Sequence, residues 1–480
     1  MKNVRLWIIL AVALGLRAAL YTAAVQDRER AFAPDSWEYW ILAANLTGLE
    51  WEPSDHVFLI YPGEPCYGQW GQEVFRTPGY PTFLTITWLH RHGPHFPVGW
   101  SAALAIQLLV DAHLVLLTFL LGRALIGEGA GLVAAALQAI SPLAIAACCR
   151  VLSDSLFAFL LTASLLLIVR HFRTGGWWAL VWSALLLGAA CYVRPIGLPI
   201  AGAYALVLLF RSKRLRRTAA FVCVTAACIA PWVARNVVVA DFVGFSSVTS
   251  EGLYYYSAAE VVARTKGIPV EEARRQLIKA NPHGREAMSL SPVPWNRTMP
   301  TSRPMVAPGV NATWRRQRAL EIIAEHPWLF AQVHLGGCLA FWLPGATEVL
   351  EVAGYTTGGK GTLEVLHTKG LWAAAEHYFG GDLTAMLLAG AMALVLLVKY
   401  FGVAVCLLVK CRPRMPAAAW LMGLIVLVSF LLPGPAAHPR FRVPVEPILS
   451  IAAAVGWCVL IAAPRRRRAQ RVAESTHEDQ

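Results

Sequence analysis

Ten apolar stretches recur along this 480-residue chain, near residues 6–25, 98–122, 129–148, 155–170, 176–193, 195–211, 217–235, 383–409, 416–433 and 446–463. That recurrence constrains the fold more than any single motif. A helix rises ~1.5 Å per residue and the hydrocarbon core of a bilayer is ~30 Å thick, so about twenty apolar residues make one crossing. Lipid offers the backbone no hydrogen-bond partners, and a helix supplies all of them internally. The expected fold class is therefore an all-α polytopic membrane protein. Composition agrees, with 57% hydrophobic residues, 15% charged residues and 18 tryptophans, a balance that no soluble core accounts for.

The formal charge of +13 raises nucleic acid as a partner, but the basic residues are short clusters beside apolar runs, as the positive-inside rule predicts. No nucleic-acid partner is expected. With Met1 on the cytoplasmic side, the clusters RHFR (Arg170 to Arg173), RSKRLRR (Arg211 to Arg217), KCRPR (Lys410 to Arg414) and RRRR (Arg465 to Arg468) all fall inside. The N-terminal run has the charged front and apolar middle of a signal peptide, yet Arg17 within it and the many later spans favour a retained first helix. Most cysteines lie within apolar runs and act as small hydrophobes; Cys66 is clearly external, and no disulfide framework is expected.

This topology leaves two large external loops, 26–97 and 236–382, and a polar tail, 464–480, expected to be disordered at AESTHEDQ. The domains read as a transmembrane catalytic module (1–235), an external helical subdomain (236–382) and C-terminal helices (383–463). Two more apolar segments, PGYPTFLTITWLH and PWLFAQVHLGGCLAFWLPG, are read as interfacial helices because prolines shorten the first and His334 interrupts the second. Counting them as spans raises the total from ten to twelve. In the second loop, PVEEARRQLIKA and TWRRQRALEIIAEHPW have helical spacing.

Charged residues at membrane level supply the candidate chemistry. Asp35 and Glu38 in AFAPDSWEYW have the spacing of a capping box, and the amphipathic helix they open would hold a carboxylate at the lipid boundary. Arg76 enters FRTPGYPTFL, whose proline-glycine-proline frame restricts the backbone around it and Tyr80; its plainer role is snorkelling to headgroups. Asp154 opens the fourth span in RVLSDSLF, as a helix cap or as an acid paired with Arg150 or Arg194. Arg194 in YVRPIG, Arg235 in PWVARN, and His438, Arg440 and Arg442 in HPRFRVPVEP are also external. Several arginines on the side that the charge bias disfavours point to an anionic ligand. No phosphate-binding glycine pattern appears. The cluster HRHGPH, with His90, His92 and His95, lacks the cysteine or acidic ligands of a zinc site, so no metal is assigned.

In their order along the chain, APDSWEYW, FRTPGYPTFL, SDSLF, YVRP, PWVARN and HPRFRVPVEP resemble bacterial relatives of protein O-mannosyltransferases and lipid A aminoarabinose transferases, of the GT-C glycosyltransferase superfamily. The resemblance spans about the first 250 residues and the last 40. It implies a GT-C fold and transfer of a sugar from a polyprenyl phosphate, at the outer face of a bacterial cytoplasmic membrane, to a lipid, glycan or protein acceptor, with no cofactor. By the same resemblance, Asp35 is the general base and Asp154 shapes the acceptor site. The donor's lipid phosphate falls to Arg76, with Tyr80, Arg194, Arg235, Arg440 and Arg442 around it. Family members often carry two acids after the proline, whereas Ser36 follows Asp35 here. The implied reaction is a single inverting displacement. A transporter or flippase of an anionic lipid is the alternative; it predicts charges deep in several spans, of which the sequence offers Arg17 and Lys399. A ligase-like or polymerase-like enzyme would place its chemistry in a late external loop instead.

Overall fold

The computed structural model describes residues 4–46, 74–88, 99–212, 215–283, 308–355, 358, 362–409 and 415–478. The histidines of HRHGPH, Cys66 and the KCRPR cluster lie outside these residues. Among the described residues there are helices and no strands. Six helices or helix-led segments are long and apolar enough to cross a membrane, rising to eight if each of two bent pairs counts once, and three shorter apolar helices accompany them. The protein is an integral membrane protein of the all-α class.

Helix α1 (Val4–Ala24) leads to the helices α2 (Pro34–Leu46) and α3 (Gly79–Trp88). Next come α4 (Gly99–Leu125) and the broken pair α5 (Glu128–Ala139) and α6 (Pro142–Cys148). The region read as one span over 129–148 is bent by 59° between these two pieces, because Pro142 has no N–H to continue the ladder. Then α7 (Asp154–Thr174), α8 (Trp177–Val193), α9 (Gly197–Ser212) and α10 (Leu215–Ala240) run back and forth. Ser164 and Ser183 exchange hydroxyl-to-carbonyl hydrogen bonds of 2.8 and 2.9 Å between α7 and α8. Such polar pairs replace a hydrophobic driving force that helices in lipid do not have.

Both helical segments expected in the second outer loop form, as Val270–Ala280 and α11 (Pro308–Glu325). They pack Leu277, Ala319 and Ile322 against Tyr254 and Tyr255 of a π-helical turn, Gly252–Ala258. The segment read as a second interfacial helix is α12 (Pro327–Cys338), extended by a 3-10 turn to Trp342 and bent by 53° from α13 (Ala346–Val352). Pro344 and a left-handed Gly345 make that bend. The two pieces together have the length and apolarity of a broken span.

The C-terminal helices are α14 (Leu383–Leu408), α15 (Pro416–Leu431) and α16 (Glu446–Glu478). A Cβ on Gly456 of α16 would lie 2.0 Å from the carbonyl oxygen of Gly402 on α14, so glycine there sets how closely these helices approach. The expectation of disorder over the tail is corrected, since α16 continues to Glu478. Arginine, alanine, glutamine and glutamate fill most of its last turns and all favour helix.

Inside the bundle, Arg17 meets Asp111 at 2.6 Å and donates to the carbonyls of Ala13 and Ala139. Lys399 meets Glu446, which also accepts from Arg442 at 2.7 Å and from Ser141 at 2.9 Å. Each of these buried charges has a compensating partner, as low dielectric demands.

Candidate functional site

The site forms where α2, α3, the start of α7, the end of α8 and the turn before α16 meet. Asp35 lies in the first turn of α2. The capping-box expectation is not what fixes it: Ser36 Oγ accepts the N–H of Ala33 at 2.9 Å, while the Asp35 carboxylate reaches Arg76 at 3.1 Å and also accepts from Arg440. Arg76 additionally pairs with Glu38, lies 4.9 Å above the Tyr39 ring and donates to the Tyr39 hydroxyl at 3.4 Å. Tyr39 and Ser153 hydroxyls are 3.1 Å apart, joining α2 to the entry of α7.

Asp154 is the second centre. Its carboxylate accepts from Arg194, and its other oxygen lies 3.7 Å from Nε of Arg440. That oxygen and Nε of Arg440 are both buried with no hydrogen-bond partner among the described residues, so the pair retains bonding capacity at the middle of the cluster. Of the two arginines considered as partners for Asp154, Arg194 takes the position, whereas Arg150 turns to Glu348 and Glu351, each at 2.6 Å.

Arg440 thus bridges Asp35 and Asp154, with Arg76 and Arg194 on either side. Burial favours the neutral form of Asp35, but Arg76 and Arg440 outweigh it, with help from Arg194, and hold the carboxyl well below its usual range. Asp35 is ionised throughout the neutral range. A carboxylate so strongly stabilised is a poor proton acceptor until its arginines are engaged elsewhere.

Glu348, missed in the sequence, approaches Nδ1 of His438 at 3.5 Å, while that nitrogen faces the backbone N–H of Arg440 at 3.3 Å. Burial lowers the pKa of His438; Glu348 opposes the shift and Arg440 adds to it. A neutral ring accepting the Arg440 N–H is consistent with both. The signal for Glu348 and Glu351 was an acid pair three residues apart in an apolar stretch, ATEVLEV, but nothing nearby in sequence indicated Arg150.

The remaining candidate residues occupy different surroundings. Tyr80 is fully buried, and its hydroxyl donates to Gln107 at 2.8 Å. Gln107 in turn donates to the carbonyls of Ala147 and Arg150 at 3.0 and 2.7 Å, so Tyr80 braces the segment leading to Asp154. Arg235 donates to Asn236 at 2.8 Å and lies over Trp232, contacts within the last turns of α10 that keep it apart from the Asp35 cluster. Arg442 is 1% exposed; it pairs with Glu446 and donates to the carbonyls of Phe341 and Leu343 at 2.7 and 2.9 Å. These contacts turn it away from Asp35 and let it anchor the segment that presents Arg440.

The proline-glycine-proline frame has a second physical reason. A Cβ on Gly79 would lie 2.5 Å from the carbonyl carbon of Tyr192 at the end of α8, so α3 approaches that backbone at a distance only glycine allows. Gly79→Ala is expected to cost about 1–3 kcal/mol of overpacking. A lower thermal midpoint of the detergent-solubilised chain would check it; an unchanged midpoint would mean that α3 shifts freely.

Residues 95–234 match the family model described as dolichyl-phosphate-mannose-protein mannosyltransferase, a stretch that includes Asp154 and Arg194. No curated protein matches the chain. Among solved structures, the chain is similar to the oligosaccharyltransferase of Archaeoglobus fulgidus in the apo form, at 13% identity and a TM-score of 0.50, covering 98% of this chain and 52% of that one. The complex of the archaeal enzyme AglB with an inhibitory peptide and a dolichol-phosphate matches at 15% identity and a TM-score of 0.48, covering 98% and 52%. ArnT from Cupriavidus metallidurans bound to undecaprenyl phosphate matches at 14% identity and a TM-score of 0.41, covering 94% and 78%. The chain spans about half the length of the archaeal oligosaccharyltransferase. Its fold is that of the GT-C membrane glycosyltransferases, in keeping with the resemblance carried by its motifs.

Proposed function

We propose that this chain transfers a sugar from a polyprenyl-phosphate donor to a hydroxyl or amine acceptor, at the outer face of a bacterial cytoplasmic membrane. The observation that carries this reading is Arg440 spanning Asp35 and Asp154 between Arg76 and Arg194. Arginine suits a phosphate because its planar fork matches the oxygens, and the wall of apolar helices suits the lipid that carries the phosphate. The GT-C fold and the mannosyltransferase family model over residues 95–234 support the same reading.

In the proposed reaction the acceptor oxygen or nitrogen forms a bond to the anomeric carbon as the bond from that carbon to the phosphate oxygen breaks. Asp35 receives the acceptor's proton, and the polyprenyl phosphate departs with the bonding electrons. Developing negative charge on the phosphate is stabilised by Arg76 and Arg440. Both are held by Asp35 before donor arrives. A phosphate that draws them away loosens the hold on Asp35 and raises its basicity, so donor binding readies the base. Asp154 and Arg194 hold the other side of the acceptor space.

The flippase alternative draws no support from the intramembrane charges, because Arg17 and Asp111, and Lys399 and Glu446, are mutually neutralised within separate helix contacts. The decisive experiment is transfer of radiolabelled sugar by the purified chain from a polyprenyl-phosphate sugar, with the corresponding nucleotide sugar in parallel. Transfer from the lipid donor alone is the expected result. Movement of intact donor across vesicles without any cleavage would instead establish the flippase.

A further inference from the structure

A second basic site lies at the opposite end of the bundle. The turn joining α7 to α8 and the neighbouring ends of α9 and α10 enclose a cavity of about 520 Å³ whose lining includes His171, Phe172, Leu208, Arg173, Arg211 and Arg217. Helix α7 separates it from Asp154; at ~1.5 Å per residue its 21 residues span most of a bilayer. The cavity therefore belongs to the other membrane face from the Asp35 cluster.

Its construction is amphipathic. Phe172 and Leu208 are buried and form an apolar floor, while three arginines form the rim. Arg211 is fixed across the floor, donating to the carbonyl of Phe172 at 2.8 Å with its guanidinium 4.8 Å from that residue's ring centre. The αL glycine that ends α7 keeps room for Arg217, whose Nη2 is 3.3 Å from where a Cβ on Gly175 would sit. Among the described residues, Arg173, Arg211 and Arg217 pair with no carboxylate, in contrast to Arg76, Arg194 and Arg440 at the other end. Trp177, Trp178 and Trp182 beside them are about half exposed, which marks the headgroup level of a membrane interface.

A topology signal alone requires cations on this face but no cavity to hold an anion. We infer that the cavity binds a phosphate group of net negative charge, in an anionic lipid headgroup or as free phosphate, the arginines gripping its oxygens and the apolar floor accommodating adjoining acyl chain where there is one. The inference is independent of the transfer reaction.

Native mass spectrometry of the full chain from membranes containing phosphatidylglycerol and phosphatidylcholine tests it. The wild type is expected to retain phosphatidylglycerol preferentially. Arg211→Ala with Arg217→Ala is expected to lower that retention about thirty-fold, from about fivefold for each cation near the surface. Arg123→Ala with Arg170→Ala, which removes equal charge outside the cavity, is expected to leave it unchanged. A second arm adds inorganic phosphate to the wild type: displacement of the lipid identifies free phosphate as a ligand of the same site, and resistance identifies the lipid headgroup as the source. No preference for phosphatidylglycerol in the wild type, or equal losses in the two double variants, overturns the site and leaves diffuse surface charge. The first of these needs no variant, so the test survives misfolding of either.

Discussion

Asp35→Asn is expected to lower sugar transfer by about 10²–10⁴-fold, the usual contribution of a positioned general base, while leaving donor retention unchanged or stronger. The substitution preserves shape but replaces one of the two accepting oxygens with an NH2 group and removes the charge and the proton-accepting capacity. Arg76 and Arg440 lose a competing anion, so the donor phosphate meets arginines that need no displacement. A structural role for Asp35 predicts another pattern: weaker donor binding and a lower thermal midpoint, with turnover of bound donor preserved. Measuring single-turnover transfer and equilibrium retention of a labelled donor on the same preparation separates the two. Full turnover in the variant would eliminate Asp35 as the base and move attention to Asp154.

Glu446→Ala is expected to be among the most destabilising single changes in the chain, costing about 3–5 kcal/mol, as removal of one member of a buried ion network does. Glu446 is 1% exposed and compensates Arg442 and Lys399 together. Its loss leaves two cations with neither water nor counter-charge. Arg442 would also lose the carboxylate that orients it toward the carbonyls of Phe341 and Leu343, loosening the turn that carries Arg440. Thermal unfolding in detergent checks the first effect, and transfer measured well below the unfolding temperature checks the second. Adding Lys399→Met should recover part of the lost stability by removing one of the orphaned charges. A midpoint equal to wild type in Glu446→Ala would show that water reaches the network.

The apolar runs announced the spans because each run's preference for lipid is decided by its own residues. Two of these stretches carry a short-range interruption. Pro142 splits one expected span, and Pro344 with Gly345 bends another segment that was read as lying in the interface. The segments α2 and α3 were legible as helices from their flanking prolines and amphipathic residues.

The candidate site was legible as a set of residues more than as an arrangement. Asp35, Arg76, Asp154, Arg194 and Arg440 meet, and each was marked by a charge at the edge of an apolar run. Arg442 carried the same mark and lies two residues from Arg440, yet a 3-10 turn sends it inward to Glu446. Glu348 had no visible partner in sequence, because Arg150 is 198 residues away.

By itself the sequence determined which stretches form long apolar helices and where the charges beside them gather, since both follow from the transfer energies of contiguous residues between water and hydrocarbon. Tertiary structure decided which acid meets which arginine. Asp35 and Arg440 are 405 residues apart, and whether they touch depends on how α2, α7 and the turn before α16 pack. In a low-dielectric bundle a difference of a few ångströms separates a compensated ion pair from an isolated charge.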